Sequence, residues 1–157
     1  MSFLRDMTPA DYAEVDRLLG QLHAIHVAGR PDIYEPVAHL YIRERYEAMV
    51  ADSGMLTFLA CDEAGRVQGI CLVTLRDQNG MRRKKTAYLE ALVVDCRYRR
   101  QGIATLLLRE AERRAHAWGA VRMDLNVWDF NREALAFYRK EGLLPQRWIL
   151  EKDLRGE

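Results

Sequence analysis

The sequence predicts an α+β protein: a mixed, mostly antiparallel sheet with helices on both faces. Three observations lead there. The first half reads as a strand, two helices and a strand meander. The second half alternates helix and strand. Between them, Tyr88 to Trp118 reads as a strand, a glycine-bearing basic turn and a helix. The resulting order, β-α-α-β-β-β-α-β-α-β, is not what a purely parallel doubly wound fold would give.

Each element has its own signal. Ser2 to Asp6 is a short strand candidate. Thr8-Pro9-Ala10-Asp11 opens a helix, with a capping threonine, proline at the first helical position and an acid in the first turn. Val15, Leu18, Leu19 and Leu22 give that helix a core face, and Gly29-Arg30-Pro31-Asp32 ends it. A second helix is expected from about Val37 to Val50. Met55 to Cys61 and Val67 to Leu75 form a hairpin around Glu63-Ala64-Gly65-Arg66, and Gln78-Asn79-Gly80 marks the next turn.

Tyr88 to Val94 is apolar on both faces except for Glu90, as in a strand covered on both sides. The helix after it carries Ala104, Leu107, Leu108, Ala111, Ala115 and Trp118 in one apolar stripe, and Gly119 stops it. Val121, Met123, Leu125 and Val127 alternate with polar residues, predicting a half-buried strand. Asn131 caps a short helix that Gly142 ends, and a last strand is expected from about Arg147 to Leu154.

Composition narrows the function. The 157 residues suit one domain spanning 1–157, and 49% hydrophobic with 30% charged residues is ordinary for a globular chain. No apolar run reaches membrane-spanning length, and the N-terminus lacks the apolar core of a signal peptide. A cytoplasmic protein with no membrane partner is the expectation. Cys61, Cys71 and Cys96 are odd in number and form no Cys-x-x-Cys pair, so no disulfide framework is expected. His23 and His26 lie three apart, but no carboxylate completes a zinc-protease pattern, so no metal is expected. Net charge is +1, with basic clusters at Arg82-Arg83-Lys84-Lys85 and Arg97 to Arg100. A nucleic-acid binder could use them, yet no nucleic-acid motif accompanies them. The second cluster is better explained by phosphates on a small ligand.

The turn Arg99-Arg100-Gln101-Gly102-Ile103-Ala104 points to that ligand. The first N–H groups of a helix lack partners within it, and the macrodipole makes that end positive. Gly102 lets the backbone approach an anion closely, Ala104 stays small, and Arg97, Arg99 and Arg100 add charge.

These residues match Arg/Gln-x-x-Gly-x-Gly/Ala, and the chain is similar to the GNAT superfamily of acetyl-CoA-dependent N-acetyltransferases. Asn131, Ala134, Phe137-Tyr138 and Gly142 extend the resemblance. It implies a GNAT-like fold and acetyl-CoA as co-substrate. The residues expected to hold it are Leu92, Val93 and Val94 on the strand, Arg99 to Thr105 at the turn, and Asn131 and Tyr138 beyond. Dimers are frequent in the family, so a homodimer is a further expectation.

Acyl transfer to an amine needs a neutral amine, donors for the developing oxyanion and a proton for the leaving thiolate. Glu90 is the candidate base, because desolvation makes a carboxylate a better proton acceptor near neutrality; a solvated place at the strand edge is the alternative. The resemblance makes Tyr138 the candidate acid and a backbone amide near Val93 the oxyanion donor. It also places the acceptor near His26, Asp32, Tyr34, Glu90 and Trp128. The expected activity is acetyl transfer to a primary amine of a small molecule, in the manner of the polyamine branch, by direct attack in a ternary complex. The rival readings are a CoA-binding regulatory domain without turnover and a nucleic-acid-binding protein.

Overall fold

The computed structural model describes residues 1–156. The chain divides into two compact units, Met1–Asn126 and the residues from Val127 onward.

In the first unit the sheet runs β1 (Phe3–Asp6), β2 (Met55–Cys61), β3 (Val67–Asp77), β4 (Lys85–Val94) and β5 (Met123–Asp124), in that spatial order. All neighbours are antiparallel except β4 and β5, which are parallel. The helices are α1 (Tyr12–Gly29), α2 (Arg43–Ala51) and α3 (Ile103–Trp118). The expected mixed, mostly antiparallel sheet is therefore present, with helices on both of its faces.

On one face, Val15, Leu18 and Leu19 of α1 and Tyr46 of α2 pack on Leu59, Ile70, Leu72, Ala91 and Val93. Each valine, leucine or isoleucine among them contributes about 1.5–3 kcal/mol when fully buried. On the other face α3 lies against Gly69. A Cβ at Gly69 would stand 3.0 Å from Leu107 Cδ1 and 2.9 Å from the Val93 carbonyl oxygen. Only glycine lets that helix come so near.

The start of α1 follows its sequence signal with one refinement. Pro9–Asp11 forms a 3₁₀ turn before the α-helix, and Asp11 Oδ2 accepts from both the Thr8 N–H and its hydroxyl. The second helix is shorter than expected, since residues 37–42 remain loop ahead of Arg43.

Two features of β4 matter for function. Leu72 pairs with Ala91 and Val73 with Leu89, so Glu90 is the extra residue of a β-bulge. In addition, β5 pairs only Met123 with Ala87 and Asp124 with Tyr88. The strand expected over 121–127 is thus cut to two residues. From Leu89 onward, the β4 edge facing away from β3 has no strand partner among the described residues.

The second unit holds α4 (Arg132–Lys140). Asn131 Oδ1 accepts from the Ala134 N–H at 3.2 Å, the expected cap. The Leu143 N–H donates to the Tyr138 carbonyl and closes the helix around Gly142, which takes a left-handed φ of 92°. The strand expected from Arg147 to Leu154 is absent, because residues 144–156 form no helix or strand. Alternating side chains do not make a strand without a neighbouring backbone to pair with. Trp148, Ile149, Leu150 and Leu154 stay exposed.

Candidate active site

The turn between β4 and α3 has the backbone geometry of an anion nest. Gly102 adopts φ 80°, ψ 5° and caps α3 without a capping side chain. Arg100 takes φ 64°, a left-handed conformation that costs a non-glycine residue about 1–3 kcal/mol and gathers at ligand clamps. Backbone amides in such alternating conformations form a concave nest. No atom lies within 4 Å of the place a Gly102 Cβ would occupy, so the head of α3 is open. Arg99, Arg100 and Gln101 are exposed around it, Ile103 is buried, and Ala104 and Thr105 are half-buried. Leu92 and Val94 are half-buried, pairing with Cys71 and Gly69, while Val93 turns into the core against α1. The open turn fits the pyrophosphate of acetyl-CoA.

Arg97 does not join that turn as free charge. It pairs with Asp95 at 2.7 Å, and Arg17 of α1 reaches the same oxygen at 2.8 Å. Asp95 is fully buried, and the Arg97 and Arg17 guanidiniums with the Arg97 amide hold its carboxyl well below the usual carboxylate range. Gln21 Oε1 accepts from the Cys96 N–H at 3.0 Å. The turn is therefore tied to α1 at two points. Sequence reasoning missed Asp95, Arg17 and Gln21, since their partners lie about 75 or more residues apart.

Glu90 is exposed, which corrects the expectation of a desolvated carboxylate. The bulge turns it out of the strand's apolar sequence. Thr74 Oγ1 donates to Glu90 Oε1 at 2.7 Å. Thr74 pairs with Tyr88, and Arg76, one pair along the same face, lies over the Tyr88 ring at 4.1 Å. Thr74, Arg76, Tyr88 and Glu90 thus share the sheet face that α1 and α2 cover further along. Thr74 gave no sequence signal beyond its place in a strand, and Arg76 fell just past the expected strand end at Leu75, whereas β3 runs on to Asp77.

The residues expected near the acceptor are organised by contacts with one another. The His26 ring stacks on Tyr34 at 5.3 Å, and His23 meets the same ring edge-on at 5.9 Å. Burial, then the neighbouring His23, pushes the His26 pKa down. Asp32 takes two hydrogen bonds from Arg30, at 3.0 and 2.7 Å. Beside this cluster a cavity of about 290 Å³ opens between α1 and the following loop, lined by Asp16, Gly20, His23, Val37 and Leu40 among others. Neither Glu90 nor His26 lines it.

In the second unit Tyr138 is half-buried, its ring 5.2 Å from Phe137. Trp128 stacks on Phe130 at 6.2 Å. Arg82, Arg83 and Lys84 are exposed in the β3–β4 loop, whereas Lys85 Nζ lies over the Trp118 ring. Cys61 and Cys71 are buried in strands and Cys96 is exposed. No helix is long and apolar enough to cross a membrane among the described residues.

The chain thus places a strand with an open edge, running into a left-handed glycine at the head of a helix, on a mixed sheet. A sequence model of the acetyltransferase (GNAT) family matches residues 20–143, and the chain belongs to that family. No curated protein matches it. Among solved structures it is similar to a mutant of the BH1408 protein from Bacillus halodurans, with 30% identity, a TM-score of 0.93, and 97% of this chain and 99% of that chain covered. It shares its fold with glucosamine-6-phosphate N-acetyltransferase from Arabidopsis thaliana, at 18% identity and a TM-score of 0.74, covering 98% and 99%. The same holds for an aminoglycoside 6'-N-acetyltransferase from Acinetobacter baumannii, at 18% and 0.74, covering 99% and 100%.

Proposed function

We propose that the protein transfers an acetyl group from acetyl-CoA to a primary amine of a small molecule, by direct attack within a ternary complex. The observation that carries this reading is the course of β4. One strand presents Glu90 at a bulge and then runs, with its outer edge unpaired, into the left-handed turn at Gly102.

When bound, acetyl-CoA supplies an activated acetyl thioester. The turn from Arg99 to Thr105 holds its phosphates through backbone amides and the helix dipole. The open β4 edge from Leu92 to Val94 offers backbone donors and acceptors to the rest of the molecule and a hydrogen bond to the developing oxyanion. Glu90 accepts the proton of the attacking amine, directly or through water, with Thr74 holding the carboxylate in place. The family motif assigns Tyr138 the proton for the departing thiolate, and Asn131 a cofactor contact beside its capping bond. His26, Asp32, Tyr34 and Trp128 carry the acceptor role that the resemblance gives them. The exposed Trp148, Ile149, Leu150 and Leu154 support a homodimer in which a second copy covers them; sedimentation over a concentration series tests it.

The experiment is thiol release from acetyl-CoA in the presence of polyamines, aminoglycosides, amino acids or peptides. Release that depends on an added amine is the expected result. Thermal stabilisation by acetyl-CoA with no release under any amine would leave a CoA-binding domain without turnover.

A further inference from the structure

Arg76 stands apart from the other arginines of its unit. Those with partly covered side chains hold carboxylates: Arg5 pairs with Asp11, Arg17 with Glu14 and Asp95, Arg30 with Asp32, and Arg114 with Asp6 and Glu110. Arg76 is half-buried as well, yet among the described residues no carboxylate lies within ion-pair distance of it. Its partner is the face of the Tyr88 ring, at 4.1 Å. The pleat sends the next acid, Asp77, to the opposite face of β3, where the strand pairs it with Lys85. Taking a guanidinium partly out of water without an acid is unfavourable, and its planar fork matches a carboxylate or a phosphate. The contact with the Tyr88 ring holds the guanidinium on this face of the sheet.

The position of Arg76 gives the vacancy a meaning. It shares a sheet face with Glu90, and Thr74, which binds Glu90, lies two residues before it on β3. Two residues of strand span about 7 Å. We propose that the acceptor is a primary amine that also carries an anionic group, carboxylate or phosphate, some four bonds or more away, and that Arg76 binds this group. The inference rests on the reading of Glu90 as the amine-facing carboxylate. It departs from the polyamine preference that the family resemblance suggests, because a second ammonium would meet Arg76 as a like charge.

The test uses matched probes of similar length: pentylamine, 1,5-diaminopentane, 5-aminopentanoate and 4-aminobutyl phosphate. For the wild type, kcat/KM for an anion-bearing amine should exceed that for pentylamine by about 10- to 100-fold, the worth of hydrogen bonds to a charged group. Whichever of 5-aminopentanoate and 4-aminobutyl phosphate wins names the anion. R76Q should collapse the ratio through KM, and R76K, which keeps the charge but not the fork, should keep only part of it. Ratios taken within one variant cancel any loss of folded protein. Calorimetric titration of the same amines into the protein with CoA should rank them alike. Equal or better use of pentylamine or the diamine by the wild type overturns the proposal while leaving acetyl transfer intact, and so does an unchanged ratio in R76Q. If no amine is turned over, acetyl transfer itself fails, and the calorimetric ranking decides the role of Arg76 by itself.

Discussion

Thr74 Oγ1 donates a 2.7 Å hydrogen bond to Glu90 Oε1 across the β3–β4 pair, at the point where the bulge adds its extra residue. A threonine in that position restricts where an exposed carboxylate points. Glu90→Gln should lower turnover most at low pH, where deprotonation of the amine limits, and less as pH nears the amine's own pKa of roughly 10. A pH–rate profile that overlays the wild type would remove Glu90 from the base role.

Thr74 acts through Glu90, as a positioning residue. Thr74→Val should lower kcat by about 3- to 10-fold, the worth of one hydrogen bond, and Thr74→Ser should restore it. In a Glu90→Gln background the Thr74→Val loss should vanish. An equal loss in both backgrounds would mark Thr74 as a packing residue only.

At the anion turn, acetyl-CoA should stabilise the native state by about 2.7 kcal/mol at a hundredfold excess over its dissociation constant. Gly102 has φ 80°, so Gly102→Val strains the backbone and also projects into the open space at the head of α3. The thermal shift on adding acetyl-CoA should disappear in that variant. A preserved shift would place the phosphates elsewhere.

Asp95 couples stability to pH. Its carboxyl is depressed by Arg97, by the Arg97 amide and by Arg17, so folding favours the charged form. The stabilisation is complete above the unfolded value near 3.8 and is lost as pH falls below it toward the lower folded value. Asp95→Ala leaves Arg17 with Glu14 and both arginines in reach of water, so it should cost about 1.5–3 kcal/mol, the worth of hydrogen bonds to a charged group. Denaturant titrations from pH 7 down to about pH 2 should show a constant gap between wild type and variant above about pH 4 and a narrowing one below it.

Tyr138→Phe removes one oxygen and keeps the ring beside Phe137. If its hydroxyl protonates the departing thiolate, turnover should fall by about 10²–10⁴-fold with little change in acetyl-CoA affinity. Unchanged turnover would return the residue to packing; weakened binding with full turnover at saturation would make it a cofactor contact.

Much of this was legible in the sequence because it is local. The stripe from Ala104 to Trp118, the glycine that heads the helix and the Asn131 cap each depend on neighbours within a few residues. What escaped depends on pairing across the chain. The 121–127 alternation promised a longer strand than two residues, and 147–154 promised one that does not form. Glu90 looked desolvated because its neighbours are apolar, and only the register against Leu72 and Val73 reveals the bulge. Arg76 looked like any arginine in a hairpin until the face it occupies and the acids it lacks were known.

The extra residue in β4 also reverses parity along that strand. Toward the turn, odd-numbered Ala91 and Val93 face α1; before the bulge, even-numbered Tyr88 and Thr86 take that side, opposite Thr74 and Arg76. Deleting Glu90 would remove the carboxylate and leave a regular ladder, with Leu89 still against Val73 and Tyr88 against Thr74. Inserting a second residue beside Glu90 would instead force Tyr88 and everything before it to slip along β3, to change sides or to widen the bulge. Spacing along one strand, counted in single residues, is thus what sets how far Glu90 stands from Arg76 on this face.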